Sequence, residues 1–174
     1  MKLYHGSNKY IENELMPHKS FHYEPLVYAT SDLFYALVRA GKFEPEKFLL
    51  KEDYDGEVFT LIELQKGALE EALNTDGYIY VIDGKNFKIT DDCMENEYIS
   101  DVPCVIENVM HIKNILNMME FNSDHYHLIR YDTEEADNYW KTVRGGREGY
   151  LQRRKERVEK LKSIKEDLCQ TRNC

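Results

Sequence analysis

Short runs in which apolar residues dominate or alternate with polar ones recur along the first three quarters of the chain. They are rich in Val, Ile, Tyr and Phe, and Gly, Asp, Asn or Pro residues bound them, which is typical of β-strands. The predicted strands are Lys2–Tyr4, Leu26–Ala29, Val58–Glu63, Tyr78–Asp83, Phe87–Ile89, Tyr98–Ser100, Cys104–Glu107 and His127–Arg130. Between two of these runs, Asp83-Gly84 predicts a hairpin turn.

Apolar positions three or four residues apart predict helices elsewhere in the chain. The predicted helices are Ser31–Ala40, Gly67–Leu73, Val109–Met119 and the region from Glu134 to the end, with Thr30 or Ser31 as the N-cap of the first. Strands follow strands here without regular helical crossovers. The pattern therefore predicts an α+β fold with antiparallel sheets and not a doubly wound parallel sheet.

The last helical region is interrupted at Arg144–Arg147, where two consecutive glycines predict a break or hinge. Beyond the break, apolar residues recur at helical spacing among Arg, Lys and Glu, which predicts an amphipathic helix of about five turns. These apolar residues are Leu151, Val158, Leu161, Ile164 and Leu168. We expect a folded domain over residues 1–133 and a basic helical extension over residues 134–174, with a homodimer contact through this helix left open.

The formal net charge of −9 is divided unevenly along the chain. Residues 141–174 carry 11 Lys and Arg against 5 Asp and Glu, whereas residues 1–140 carry 12 against 27. Two interpretations follow: the basic tail docks on the acidic body of its own or a neighbouring subunit, or it contacts an anionic partner such as nucleic acid.

Other features bear on the cellular location and on metal binding. No apolar run approaches the roughly 18 to 20 residues of a membrane span, and the first residues lack a signal peptide's apolar stretch, so we expect no membrane association and a cytoplasmic location. The cysteines show no Cys-x-x-Cys spacing and do not combine with the histidines in a finger-like pattern. Free thiols and no metal site are therefore expected.

Three stretches place a histidine, a tyrosine and a glutamate on or beside predicted strands. LYHGSN at 3–8 contains His5, LVYATSDLFYALVRA at 26–40 contains Tyr28, and ENEYISDVP at 95–103 contains Glu97. Side chains on strands are held rigidly enough for a catalytic site.

In this combination the sequence resembles the ADP-ribosyltransferase superfamily, specifically its poly(ADP-ribose) polymerase-like branch with a His-Tyr-Glu triad. In that branch the histidine opens a His-Gly pair after the first strand, the tyrosine precedes a helix, and the glutamate begins a late strand. The matching segments are His5-Gly6-Ser7, Val27-Tyr28-Ala29 and Asn96–Ile99. The resemblance covers residues 1 to about 121 and implies a split antiparallel β-sandwich with flanking helices.

The resemblance implies a small bacterial- or phage-type glycosyltransferase that moves ADP-ribose from NAD to a protein or nucleic-acid acceptor, releases nicotinamide and needs no metal. Glu97 would stabilise the positive charge that develops on the ribose. His5 would hold a ribose hydroxyl, and Gly6 would let the backbone approach the carboxamide.

The resemblance assigns the other cleft residues to contacts with the nucleotide. Tyr28 would stack on the nicotinamide ring, and Tyr35 is the candidate for a second stacking surface. Ser7 would touch the adenosine ribose or would simply end its strand.

One departure from the pattern of this branch keeps other hypotheses open. Phe34, Tyr35 and Ala36 occupy the region where this branch has an amide-binding serine, so the chain could instead be an inactive module that binds NAD, ADP-ribose or a partner protein. An interaction protein whose terminal helix pairs with a partner is the third hypothesis. Glu95 is the alternative carboxylate, because residues two apart on a strand point to the same side.

Overall fold

The computed structural model describes residues 1–18, 25–42, 44, 46–52, 57–89, 97–156 and 159. The chain falls into two compact units, Met1–Leu128 and Ile129–Cys174. The strands are β1 (Lys2–Ser7), β2 (Glu14–Leu15), β3 (Val27–Thr30), β4 (Phe48–Glu52), β5 (Phe59–Glu63), β6 (Gly77–Asp83), β7 (Glu97–Ser100), β8 (Cys104–Ile112) and β9 (Tyr126–Ile129). The helices are α1 (Leu33–Ala40), α2 (Ala68–Leu73), α3 (Ile115–Phe121), α4 (Glu134–Thr142) and α5 (146–156).

Six strands form one curled sheet in the order β2-β8-β6-β1-β3-β7, and β4-β5-β9 form a second sheet. Each neighbouring pair in the six-stranded sheet is antiparallel. This strand arrangement, together with the helices, confirms the predicted α+β class with antiparallel sheets.

Apolar side chains cover both faces of the six-stranded sheet, because successive residues of a strand point to opposite faces. On one face, Tyr4 and Ile79 pack with α1, α2 and α3 in a large buried cluster. On the other face, Leu3, Tyr80 and Ile82 belong to a second buried cluster. The strands at the centre of the sheet are therefore held from both sides.

Helix α1 begins at a carboxylate cap. The Asp32 Oδ1 atom accepts hydrogen bonds from the backbone N–H of Phe34 at 2.7 Å and of Tyr35 at 3.1 Å. The prediction that Thr30 or Ser31 caps this helix is wrong, since Thr30 Oγ1 instead accepts from the N–H of Asp32. The N-cap is the residue whose side chain reaches the second and third helical N–H groups, and that residue is Asp32.

The predicted helix Val109–Met119 is wrong over its first half. Strand β8 continues to Ile112 and pairs with β6, and the helix that follows begins only at Ile115. Half-buried Met110 and Ile112 alternate with exposed residues, which is the two-residue period of a strand. Pairing with the central strand β6 outweighs the local helical spacing.

The predicted strand Phe87–Ile89 and the hairpin at Asp83-Gly84 are also wrong. Gly84–Asn86 forms a 3-10 turn in which the Asp83 carboxylate accepts from the N–H of Lys85 at 3.1 Å. Lys88 makes a single bridge to Ile99 of β7, and β6 pairs with β1 and β8 instead. The aspartate therefore caps a helical turn and does not reverse the chain into a neighbouring strand.

Strand β4 was not predicted. Its apolar part, Phe48-Leu49-Leu50, is three residues long and lies in a charged stretch, which is too short for a pattern to stand out. Pairing with β5 over five residues, from Phe48 opposite Glu63 to Glu52 opposite Phe59, makes it a strand.

In the second unit, α4 and α5 are separated by the predicted break. Gly145 and Gly146 have φ angles of +74° and +63°, which ordinary residues rarely adopt, so the prediction of a break at Arg144–Arg147 is confirmed. Of the predicted apolar stripe, Leu151 is described and is 36% exposed, and the other four residues lie outside the described part of the chain. None of the described helices is long and apolar enough to cross a membrane.

Candidate functional site

A cleft of about 280 Å³ lies in the first unit, where β1, β3, β7 and α1 meet. Its volume is close to the lower end of the range for small-molecule sites, about 300–1,000 Å³. The residues that line it are Tyr4, His5, Gly6, His18, Tyr28, Ala29, Thr30, Tyr35, Ala36, Arg39 and Glu97. The triad predicted from the sequence is therefore among the lining residues of one cleft.

The cleft opens where two neighbouring strands of the sheet, β1 and β3, separate. Strand β1 pairs with β6 over its whole length, from Lys2 opposite Asp83 to Ser7 opposite Tyr78. Its register with β3, on the other side, consists of Tyr4 opposite Thr30. The part of β1 that contains His5 and Gly6 therefore borders the cleft on the side that faces β3.

His5 joins the two separating strands through its side chain. Its Nδ1 atom lies 2.7 Å from the carbonyl oxygen of Tyr28, and since a carbonyl oxygen has no proton to give, Nδ1 donates. Burial lowers the pKa of His5 below its usual value, and the neighbouring His18 acts in the same direction. The imidazole is therefore neutral at neutral pH, with Nε2 as a hydrogen-bond acceptor.

Gly6 is required by close packing against α1. A Cβ atom at this position would overlap the carbonyl oxygen of Ala36 and would lie 2.7 Å from the backbone nitrogen of Ala40. The missing Cβ therefore leaves room for the helix, and the expectation that Gly6 also lets the backbone approach a carboxamide stays a prediction. Gly6 still lines the cleft.

The peptide groups of Gly6 point toward β3. The Met1 carbonyl accepts a hydrogen bond from the N–H of Gly84 at 2.8 Å, which makes Met1 a residue whose peptide groups face β6. In an antiparallel strand this direction alternates from one residue to the next, so the N–H and C=O of Tyr4 and Gly6 face the opposite side. At Gly6 that side is the cleft.

Tyr28 and Glu97 lie on β3 and β7, the last two strands at one end of the sheet. Thr30 is opposite Glu97 and Tyr28 is opposite Ile99 in the β3–β7 register, so these four side chains share one face. His5 starts on the other face, because it alternates with Tyr4, and its ring reaches β3 through the gap between the strands. Through this gap, His5 enters a cleft in which the Tyr28 and Glu97 side chains start from the opposite face of the sheet.

The two remaining predicted residues differ in their surroundings. Tyr35 lines the cleft but is only 3% exposed, and its ring lies 5.7 Å from the ring of Phe59. Ser7 is outside the lining set; it ends β1, and its Oγ accepts from the N–H of Lys9 at 3.1 Å. Glu95 lies outside the described residues.

His18 and Arg39 line the cleft and were not predicted. His18 is brought there by its bridge to Leu26, just before β3, and no local pattern marks it. Arg39 had a signal: it follows Tyr35 by one helical turn on α1, and residues four apart share a helix face. Its guanidinium donates to the Tyr35 hydroxyl and lies 5.1 Å from the centre of the Tyr35 ring.

Among the described residues, no group of three His, Cys, Asp or Glu side chains is placed to hold a metal ion. Cys104 is a buried free thiol, and burial raises its pKa. The other three cysteines lie outside the described residues.

No protein-family model, curated protein or solved structure matches this chain.

Proposed function

We propose that this chain is an ADP-ribosyltransferase of the His-Tyr-Glu type, which transfers ADP-ribose from NAD to a protein or nucleic-acid acceptor and releases nicotinamide. The observation that carries the proposal is the composition of the cleft. His5, Tyr28 and Glu97 are separated by 23 and 69 residues in sequence, yet all three line it. The presence of a six-stranded and a three-stranded sheet, as expected for the split β-sandwich of that superfamily, also supports the proposal.

Glu97 carries the main charge effect in this mechanism. When the bond between nicotinamide and ribose breaks, a neutral base leaves and positive charge develops on the sugar. A carboxylate held beside that sugar stabilises the charge and accepts a hydrogen bond from a ribose hydroxyl. Preorganised charges of this kind contribute about 3 kcal/mol or more to the transition state.

His5 and Gly6 orient the substrate. Because Nδ1 of His5 is engaged with Tyr28, Nε2 is the atom that accepts a hydrogen bond from a ribose hydroxyl. The N–H and C=O of Gly6, which face the cleft, match the oxygen and the NH₂ group of a carboxamide. The backbone would thus recognise nicotinamide without the serine that this chain lacks.

Tyr28 provides the aromatic surface for the nicotinamide ring. It is half-buried on β3, whereas Tyr35 is almost fully buried against Phe59. Stacking therefore falls chiefly to Tyr28, with Tyr35 presenting little more than its edge and hydroxyl.

The decisive experiment is Glu97→Gln, which keeps the size of the side chain and removes its charge. We expect NAD to bind nearly as well as to the parent protein, and nicotinamide to be released about 100-fold or more slowly. Glu107→Gln is the matched control, because Glu107 is an exposed carboxylate on β8 outside the cleft. Release is measured with purified protein and again with cell lysate, which supplies the acceptor. Equal activity of the parent and Glu97→Gln in both conditions would overturn the proposal.

A second function, an NAD- or ADP-ribose-binding module without turnover, is favoured by one observation. Ala36 and Tyr35 are buried in the core at the segment where the superfamily branch has its amide-binding serine. This hypothesis predicts NAD binding to the parent with no nicotinamide release in either condition. If NAD does not bind at all, the interaction-protein hypothesis, with the terminal helix as the contact, takes its place.

The charge distribution bears on the acceptor and on the assembly state. The basic residues beyond position 140 favour contact with an anionic surface, either nucleic acid or the acidic body of a subunit. A cytoplasmic location accords with an intracellular supply of NAD. Mass photometry of the full chain and of a variant truncated after residue 156 tests whether the terminal helix forms a homodimer.

A further inference from the structure

A guanidinium group lies among the aromatic and backbone groups of the cleft. Of the described residues that line it, Arg39 is the only Lys or Arg, and His5 is neutral at neutral pH because burial lowers its pKa. An arginine side chain has N–H donors and no acceptor, so a ligand group that binds it must offer an oxygen or another acceptor atom. The position of Arg39 in the cleft decides which part of a ligand this is.

Helix α1 places Arg39 beside the backbone of Gly6. A Cβ atom on Gly6 would lie 2.7 Å from the nitrogen of Ala40 and 2.9 Å from the carbonyl carbon of Arg39, so this turn of the helix packs directly on the glycine. Tyr35 and Arg39 each precede the alanines of this contact, Ala36 and Ala40, by one residue, which is about 100° around the helix. Both line the cleft. The Arg39 side chain therefore starts next to Gly6 and extends along the cleft wall.

Two contacts to Tyr35 hold the guanidinium in this position. It donates a hydrogen bond to the Tyr35 hydroxyl, and its carbon lies 5.1 Å from the centre of the Tyr35 ring. Tyr35 is buried and packs against Phe59, so it has little freedom to move. The guanidinium therefore loses less conformational entropy when it binds a ligand.

We infer that Arg39 donates a hydrogen bond to the exocyclic oxygen of nicotinamide, an inference that rests on the proposed function. The proposed function assigns the carboxamide to the backbone N–H and C=O of Gly6, the residue on which the Arg39 backbone packs. A carbonyl oxygen has two lone pairs, so it accepts from the Gly6 N–H and from the guanidinium together. Arg39 thus takes the role of the amide-binding serine that this chain lacks.

The positive charge of Arg39 distinguishes the released base from the substrate. The nicotinamide ring of NAD is cationic. When its bond to ribose breaks, the bonding electron pair stays with the ring nitrogen and the ring becomes neutral. The guanidinium repels the cationic ring while it binds the oxygen, and this repulsion ends when the bond breaks. Arg39 should therefore favour neutral nicotinamide over NAD, which a serine hydroxyl would not do.

The test compares pyridines that differ only at the exocyclic group. Nicotinamide, 3-acetylpyridine, nicotinate and 3-methylpyridine are titrated into the parent and into Arg39→Met, and binding is followed by NMR. The variant should bind nicotinamide and 3-acetylpyridine about 10-fold more weakly and nicotinate about 100-fold more weakly, because hydrogen bonds between two charged groups are the stronger ones. The affinity for 3-methylpyridine, which has no oxygen, should change by less than about threefold.

Two further variants and NAD itself sharpen the test. Arg39→Lys should recover part of each loss, because it keeps the charge but not the planar fork. Arg39→Met should weaken NAD less than nicotinamide, because the lost repulsion offsets the lost hydrogen bond. Lys113→Met removes an exposed lysine outside the cleft and is the control, which should bind every compound like the parent.

Three results would overturn the inference. If Arg39→Met binds nicotinamide like the parent, Arg39 only complements the C-terminal end of the helix dipole. Equal weakening of all four pyridines would report general damage to the cleft. Weakening of nicotinate alone would make Arg39 a contact for anions and not for the carboxamide oxygen.

Nicotinamide release from NAD separates this inference from the proposed function. A parent that binds nicotinamide through Arg39 but releases none from NAD supports the inference and removes the transferase proposal. A parent that releases nicotinamide, while Arg39→Met shows one of the three contrary binding patterns, keeps the transferase proposal and removes the inference. A parent that neither binds the pyridines nor releases nicotinamide overturns both.

Discussion

Strand β1 has two edges that the fold uses in opposite ways. Along one edge it pairs with β6 from Lys2 to Ser7, and along the other its register with β3 consists of Tyr4 opposite Thr30. The paired edge lies at the centre of the sheet, with buried clusters on both of its faces. The separated edge exposes backbone and side-chain groups to a cleft.

This difference shows how a single short strand supports both stability and a site. The continuous ladder with β6 holds β1 in place, so the other edge is free to diverge from β3 without loosening the sheet. His5 partly compensates for the divergence, because its imidazole donates to the Tyr28 carbonyl across the gap. The groups offered to a ligand are thus mounted on a rigid support.

The largest effect is expected from Gly6→Ala, which disturbs the packing of β1 against α1. The added methyl group would meet backbone atoms of Ala36 and Ala40, which cannot rotate away, so we expect a loss of about 3 kcal/mol or more in the free energy of unfolding. Urea denaturation measures it. Gly67→Ala is the control: its φ is +78° but nothing lies within 4 Å of the added atom, so about 1–2 kcal/mol is expected. Similar losses in both variants would show that the close approach at Gly6 does not matter.

A smaller effect, on binding and not on stability, is expected from Tyr28→Ala at the separated edge. Loss of the stacking surface should weaken NAD binding about 10-fold, in both the ground state and the transition state. Tyr10→Ala is the control, since Tyr10 is 61% exposed and packs edge-on against Tyr78 outside the cleft. Titration of NAD into the two variants distinguishes them, and unchanged affinity in Tyr28→Ala would remove this residue from the site.

Tyr126→Phe tests how the α1 wall of the cleft is anchored. The Tyr126 hydroxyl donates to the Phe34 carbonyl at 2.7 Å, and burial raises the pKa of Tyr126 well above its usual range. Removing the hydroxyl should cost about 1 kcal/mol in unfolding free energy and leave NAD affinity unchanged. A large loss of affinity without loss of stability would show that this bond positions the helix for the ligand.

The smallest effect is a change in the pH dependence of stability caused by His5. Its pKa in the folded protein is below the usual 6.5, so as the pH falls through 6.5 the unfolded chain gains a proton before the folded one does. The parent therefore loses stability on acidification. His5→Asn keeps a donor for the Tyr28 carbonyl and does not titrate, so the difference in unfolding free energy between the two proteins should change between pH 7.5 and pH 5.5, in favour of the variant at low pH. Parallel curves would contradict the neutral, buried state of His5.

Local sequence patterns were enough to predict the fold class, the central strands and the break in the second unit. The apolar runs at Val58–Glu63 and Tyr78–Asp83 became β5 and β6 within one residue, because long β-branched and aromatic runs have few alternatives. The break at Gly145 and Gly146 followed from glycine's freedom at positive φ. The triad residues were also named from the sequence alone, and the cleft contains them.

Contacts between segments that are distant in sequence set the ends of the strands, the gap between β1 and β3, and the surroundings of the triad. Val109–Ile112 belongs to β8 because β6 offers it a complete ladder, and that partner is about 30 residues away in sequence. Gly6 is a glycine because α1 lies against it, a contact that no local pattern contains. Arg39 and His18 enter the cleft through the folding of α1 and of the segment before β3. Local sequence sets the direction in which each side chain leaves the backbone. The groups that a side chain contacts come from distant segments of the chain, and packing of the core decides which of these segments approach it.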